Sequence, residues 1–320
     1  MHLNNHTYFS LRYGTLSVRE LITIAKDQGF KEFILTDINS TSAVLEFIRL
    51  CKIEGIRPIV GIDFRNNAQQ EFIAIAQNNK GFEEINRFLS EHLMAKKALP
   101  ARAPNFKHDT VIYPFSKARS IRLQKHEYIG VRPDEVQRLN YSSQSHLSKK
   151  MVILAPFTFI SKQGFNTHTI LRAIDNNTLL SKLHPSQKAC ENDVFIPVKQ
   201  LKEHFKEFPE IIENTEVILE KSTIDFKFGT SKNKEIFGAS PLEDTKLLRK
   251  LALEGMEYRY GNDNMEAIRR IEKELQMVDQ LGFNAYFLIA WDIIRYAKSK
   301  GYDHVGRGSG ANSIVAYCLR

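Results

Sequence analysis

A chain of 320 residues is about two domains long at ~150 residues per domain, and its 42% hydrophobic and 26% charged content is that of a globular protein with a real core. Three widely spaced cysteines, Cys51, Cys190 and Cys318, argue against a disulfide framework or a thiolate zinc site and suit a reducing cytoplasm, while the lack of any long apolar run argues against secretion and membrane spanning. The net charge of +8 is matched by residues 92–150 alone, where twelve Lys/Arg stand against four acids, a balance that admits phosphate-bearing partners but reads first as a basic, solvated surface insertion.

In chain order, Ser17-Val-Arg-Glu20 is a capping box that opens a helix carrying Leu21, Ile22, Ile24 and Ala25, stopped at Gly29. Glu32-Phe-Ile-Leu-Thr36 predicts a buried strand. A second helix runs from about Ser42 through Leu45, Phe47, Ile48 and Leu50 to Gly55. Pro58-Ile-Val-Gly-Ile62 is the next strand, and Phe72-Ile-Ala-Ile-Ala76 leads across a polar turn into a helix bearing Phe82, Ile85, Phe88 and Leu89. This alternation predicts an α/β fold of parallel strands with helical crossovers, either a barrel or a doubly wound sheet. Beyond the basic segment come a strand at Met151-Val-Ile-Leu-Ala155 and helices near 167–174 and 199–208. The character changes near residue 222. We expect a first domain over 1–222, a linker over 223–239 and a second, helical domain over 240–320, with helices at 241–255, 265–281 and 285–300.

Polar residues gather at the ends of the first strands: His6, Thr36-Asp37 and Asp63, with Asn4 between His2 and His6. Strand ends of a barrel converge on one mouth, where ligands usually bind. A hydrolytic metal site there needs several imidazoles and carboxylates. Only His6, Asp37 and Asp63 supply that chemistry, so strand-end hydrogen bonding is the reading these residues favour.

The stretch Gly306-Arg-Gly-Ser-Gly-Ala-Asn-Ser313 opens onto the apolar Ile314-Val-Ala-Tyr-Cys-Leu319. Such a turn can offer backbone N–H groups and a helix dipole to phosphate, with Arg307, Ser309 and Ser313 as further donors. It has neither the P-loop Gly-Lys-Ser/Thr nor dinucleotide-fold spacing, so a plain strand-to-helix turn stays open. No stop signal follows Arg320, and the expectation is a fragment whose chemistry continues further on.

Leu281-Gly-Phe-Asn-Ala-Tyr-Phe-Leu-Ile-Ala-Trp-Asp292, the glycine turn and Ile314-Val-Ala-Tyr-Cys-Leu319 together resemble bacterial family C DNA polymerases, specifically polymerase III alpha subunits. His2-Leu-Asn-Asn-His-Thr7, Leu35-Thr-Asp37 and Gly55-Ile-Arg-Pro-Ile-Val-Gly-Ile-Asp63 resemble the polymerase-and-histidinol-phosphatase (PHP) domain of that family, and Pro209-Glu-Ile-Ile-Glu-Asn-Thr215 and Leu253-Glu-Gly-Met-Glu-Tyr-Arg-Tyr260 also fit. The resemblance implies a distorted seven-stranded barrel, then the mostly helical opening of a nucleotidyltransferase-type palm. It implies that Gly308 and Ser309, with Arg307 and Ser313 as neighbours, bind an incoming dNTP triphosphate. It places the catalytic, Mg²⁺-holding aspartates beyond Arg320, so no catalytic residue is expected here and the fragment alone is expected to be inactive. Primer-template DNA, a sliding clamp and other replisome subunits are the implied partners.

The PHP motifs depart from the active pattern. Asn4 breaks the paired histidines, Ile38 replaces the histidine after Thr36-Asp37, and Asp63 shortens a glutamate. Disturbing even the outer partners of a metal site typically costs about 10–100-fold in affinity or activity. Asn4, His6, Asp37 and Asp63 are therefore read as a degenerate remnant in a structural PHP domain. Two alternatives remain: a metal-dependent PHP phosphoesterase or 3′–5′ proofreading exonuclease, and a noncatalytic DNA-binding module acting through Lys117, Arg119, Arg122 and Lys125.

Overall fold

A computed structural model describes residues 1–140, 145–230 and 232–319; Arg320, the expected end of an unfinished helix, lies outside them. The chain divides into two compact units, Met1–Phe228 and Gly229–Arg320.

The first unit opens with β1 (Asn4–Asn5), α1 (Val18–Asp27), β2 (Glu32–Leu35), α2 (Val44–Ile53), β3 (Arg57–Asn66), β4 (Gln69–Ala76) and α3 (Asn79–Ala95). It continues with β5 (Asp109–Pro114), β6 (Glu127–Val131), α4 (Val136–Asn140), β7 (Met151–Ile153), β8 (Pro156–Phe157), α5 (Lys162–Asp175), α6 (Val198–His204) and α7 (Pro209–Lys221). The expected Ser17–Glu20 capping box closes the start of α1, each residue's side chain accepting from the other's backbone N–H. Strands β2 to β7 form one curled sheet in sequence order, and β1 pairs with β8 in parallel. Thr36 N–H donates to Asn5 O at 3.0 Å, which ties β1 to the end of β2. The α/β, PHP-type architecture is as expected, but in place of a seven-stranded barrel there are a six-stranded curled sheet and a separate two-stranded pair, and the strands are mixed rather than all parallel. β3–β4 and β4–β5 run antiparallel because β3 turns back through two residues, with Asn67 at a φ of +55° that asparagine tolerates better than most residues.

Residues 92–150 are not simply a surface insertion. They supply β5 and β6, whose Val111, Ile112, Tyr113, Ile129 and Val131 are fully buried. The basic residues lie before, between and after these strands, where they mask two short core segments.

Alternation along β3 divides its side chains between two faces. Val60, Ile62 and Phe64 join the larger core with α1, α2 and α3, whereas Ile59 joins Leu3, Ile34, Ile73, Ile75, Ile112, Val152 and Leu154 on the other face. Helix α7 adds Ile218 and Leu219 to this second cluster. It also secures β7: Ile153 N–H donates to Thr215 Oγ1 at 2.9 Å and Asn214 Nδ2 donates to Met151 O at 2.9 Å.

The second unit holds α8 (Pro241–Tyr260), α9 (Met265–Gln280), α10 (Asn284–Ser299) and α11 (Ile314–Cys318). Leu248, Ala252 and Met256 recur at helical spacing and pack with Ile271, Leu275, Leu288 and Val315. Gly255, taken from sequence as the end of a helix, lies inside α8. A Cβ there would stand 1.7 Å from Cys318 O, so this glycine lets α11 approach the α8 backbone, and the helix ends instead at Gly261, φ +78°. Among the described residues no helix is long and apolar enough to cross a membrane.

Candidate functional site

In the first unit the expected strand-end residues do meet. His6 and Thr7 follow β1, Asp37 follows β2, Asp63 lies within β3 and Thr158 follows β8, and all five are buried. His6 Nε2 lies 3.0 Å from Asp63 Oδ2, and its Nδ1 lies 3.0 Å from Thr158 Oγ1. A carboxylate only accepts, so Nε2 carries the proton and, in the neutral ring, Nδ1 accepts from the threonine hydroxyl. Asp37 accepts from Thr7 N–H at 2.6 Å, Thr7 Oγ1 at 2.7 Å and Ser10 Oγ at 2.7 Å. Burial nonetheless pushes its carboxyl above the usual carboxylate range, against those hydrogen bonds.

The residue that organises this cluster, Arg65, was not among the sequence candidates. Its Nε and Nη2 donate to Asp63 Oδ2 at 3.0 and 2.7 Å, and its Nη1 donates to Tyr13 OH at 2.8 Å. A register shift between Phe64 and Arg65 sets Gln70 opposite Arg65, and Gln70 Nε2 donates to both Asp63 oxygens at 3.0 Å. Burial alone would raise the Asp63 carboxyl; Arg65 and His6 hold it well below the ordinary range. The signal in the sequence was modest: Arg65 is two residues from Asp63, the spacing that puts both on one face of a strand.

This donor set does not fit a metal ion. Both Asp63 oxygens, both His6 nitrogens and both Asp37 oxygens already have partners within the protein, and a permanent cation sits against the central carboxylate. Asn4 brings an amide whose Oδ1 accepts from Thr36 Oγ1 at 3.2 Å and whose buried Nδ2 has no partner among the described residues. Among the described residues no group of three or more His, Cys, Asp or Glu is arranged to hold a metal.

His168 also belongs to the surroundings of Tyr13. Its Nε2 accepts from Ala189 N–H at 2.8 Å, so Nδ1 carries the proton donated to Tyr13 O at 2.6 Å. Burial is the main reason its pKa falls to about 4.

In the second unit, the sequence candidates separate into two environments. Arg307, Gly308 and Ser309 are exposed in the glycine-rich turn, with Gly308 at φ +82°. Ser313, by contrast, caps α11: its Oγ accepts from Ala316 N–H at 2.9 Å and donates to Glu274 Oε1. Glu274, on α9, also accepts from Ile314 N–H at 3.1 Å. The anion at the start of α11 is therefore the protein's own carboxylate, a neighbour that sequence spacing could not disclose. The upstream turn is left as the exposed donor surface.

Comparison with known proteins joins the two units. The PHP domain family matches residues 2–151, and the bacterial DNA polymerase III alpha NTPase domain family matches residues 246–320. From end to end the chain is similar to bacterial DNA polymerase III alpha subunits. It is 26% identical over 367 residues to an error-prone DNA polymerase of Symbiobacterium thermophilum, covering all of this chain and 34% of that protein. It is 24% identical over 356 residues to the DNA polymerase III subunit alpha of Bacillus subtilis and 25% identical over 376 residues to that of Pseudomonas aeruginosa, in each case covering all of this chain and 32% of the relative. The chain thus spans about a third of the length of the curated relatives it matches. His6, Asp37, Asp63 and Arg65 of the polar cluster all lie within the residues that match the PHP domain family.

Proposed function

We propose that this chain is the N-terminal part of a DNA-directed DNA polymerase that adds dNTPs to a primer 3′ end on a DNA template. The observation that carries this reading is the ordered pair of family matches, PHP then polymerase III alpha NTPase domain, one in each unit. In this reading the PHP domain, 1–222, is a scaffold and the polymerase part begins near 240 after a linker. Gly308 and Ser309 contact the triphosphate of the incoming nucleotide and Arg307 adds charge. Ser313, already engaged with Glu274, shapes the helix start behind them. Mg²⁺, bound by carboxylates elsewhere in the full-length protein, supplies the neutralisation that phosphoryl transfer requires. Sliding clamp and other replisome subunits are the partners the same reading suggests, and its compartment is the cytoplasm.

The saturated Asp63 carboxylate supports a PHP domain without phosphoesterase or proofreading chemistry. Metal analysis of the whole chain, with a model phosphate ester as substrate, tests this; stoichiometric Zn²⁺ or Mn²⁺ with hydrolysis abolished by Asp63→Asn overturns it. Templated dNTP incorporation by the full-length protein tests the polymerase reading. Ser309→Ala is expected to raise the KM for dNTP about tenfold, the value of one charge-assisted hydrogen bond. A full-length protein that incorporates nothing overturns the proposal.

A further inference from the structure

The basic segment of the first unit separates into cations that build a surface and cations that the surface displays. Lys117 Nζ is consumed by the Glu71 carboxylate and, at 3.0 Å, by Ala101 O. Arg102 Nη2 bonds Glu127 Oε2 at 3.0 Å and Arg122 O at 3.1 Å. Lys150 Nζ reaches Gln124 O at 3.1 Å and Lys125 O at 2.5 Å, and lies 4.9 Å from the centre of the Tyr128 ring. Gln124 N–H donates to buried Glu127 at 2.7 Å. These bonds knit the loop between β5 and β6 to the chain at 101–102 and at 150. What the loop then presents is Arg119, Arg122 and Lys125, beside Lys149, all exposed and none in an ion pair among the described residues. Between residues 117 and 125 there is no carboxylate.

Holding four like charges on a fixed frame without counter-charges is unfavourable by itself and sets up a local positive potential. We propose that this face, Arg119, Arg122, Lys125 and Lys149, binds the phosphate backbone of nucleic acid without reading its sequence. Two observations favour phosphates over an acidic protein segment. The apolar residues of the loop, Ile121 and Leu123, pack inward against the core, so the face lacks the buried apolar anchor on which protein partners depend. Backbone binding needs only displayed charge, because counterion release supplies the free energy. The successive spacing of three residues separates the loop cations by at most ~10 Å, which is within reach of neighbouring phosphates at ~3.4 Å per nucleotide along one strand. This proposal does not depend on the polymerase reading, since it concerns a different unit from the glycine turn.

The test is fluorescence anisotropy of the 320-residue chain with a labelled 20-nucleotide single strand and a 20-base-pair duplex, across 50–200 mM salt. The triple variant Arg119→Gln, Arg122→Gln and Lys125→Gln is expected to bind at least tenfold more weakly. Its log K against log salt slope is expected to fall by about 2–3, at ~0.9 per lost contact on duplex or ~0.7 on a single strand. The relative slopes tell duplex from single strand. Arg119→Lys with Arg122→Lys is expected to bind within threefold of the parent, which separates charge from fold, and so is the remote control Lys182→Gln. Triple-variant affinity within twofold of the parent overturns the proposal, as does a polyglutamate peptide that binds the parent as tightly as the DNA does.

Discussion

Arg65 and Asp63 meet inside the first unit with Nη2 2.7 Å from Oδ2, the arginine 7% exposed and the aspartate fully buried. In a cluster otherwise built from the strand-end residues of a PHP domain, the positive charge facing the central carboxylate belongs to the chain itself. A guanidinium cannot be lost to a chelator or exchanged, and its planar donors fix the orientation of Asp63, Tyr13 and, through Asp63, His6.

Breaking this pair by removing one partner strands the other as an unpaired buried charge. Arg65→Ala is therefore expected to destabilise the protein by about 3–5 kcal/mol, measured by urea unfolding, whereas EDTA should leave the parent's unfolding midpoint unchanged. A midpoint that drops with EDTA, or an Arg65→Ala loss below 1 kcal/mol, contradicts the account.

His2 and His168 both have pKa values lowered to about 4, chiefly by burial. Between pH 6.5 and 4 the unfolded chain takes up protons that the folded chain refuses, so their contribution is complete above pH 6.5 and is lost as pH falls through that window. Each should contribute a slope of about 1.4 kcal/mol per pH unit. Unfolding free energies at pH 7 and pH 5 for the parent and His168→Gln provide the comparison; the variant should lose less on acidification, and an identical loss refutes the assignment.

Asp109 behaves in the opposite sense. Buried at the start of β5 with neither carboxyl oxygen hydrogen-bonded among the described residues, and with Glu84 adding repulsion, it is pushed up to about 8. The folded state then holds a proton that the unfolded state has released, so stability declines as pH rises from about 4 to 8. Relative to the parent, Asp109→Asn should gain about 1.4 kcal/mol per pH unit across that range. Parallel pH–stability curves for the two proteins would exclude a neutral, buried Asp109.

Glu274 holds the start of α11 through the Ser313 hydroxyl and the Ile314 N–H. Removing a helix cap typically costs about 1 kcal/mol and frees the first amides of the helix. Amide exchange of Ile314 to Ala316 should accelerate about fivefold in Glu274→Ala and far less in Glu274→Gln, which keeps an acceptor. Unaltered exchange in the alanine variant would mean that the carboxylate does not hold this end.

Much of this protein was readable in one dimension because the relevant forces act locally. The capping box at Ser17, the apolar spacing of α1, α2, α8 and α9, and the strand-like runs at Glu32-Phe-Ile-Leu35 and Phe72-Ile-Ala-Ile-Ala76 are each decided by neighbours within a few residues. Asp37 and Asp63 could be nominated for the same reason, since each follows a legible strand, whereas His6 was nominated by its residue type alone. Strands β5 and β6 were hidden because five or six residues of core sequence lie between long charged loops. The antiparallel turn at Asn67 also left too weak a signal to overrule the pattern of alternating strands and helices.

Residue types and their periodicity by themselves determined that the chain would fold as α/β followed by helix, and that a glycine-rich turn would stand near residue 308. Only the tertiary structure decided what the polar residues do. Arg65 is paired with Asp63 by a strand face and a bulge, Glu274 reaches α11 from another helix, and Gly255 serves the approach of a backbone carbonyl rather than a helix end. Each of these outcomes depends on desolvation and on distances between segments far apart in sequence, and neither quantity exists until the chain has packed.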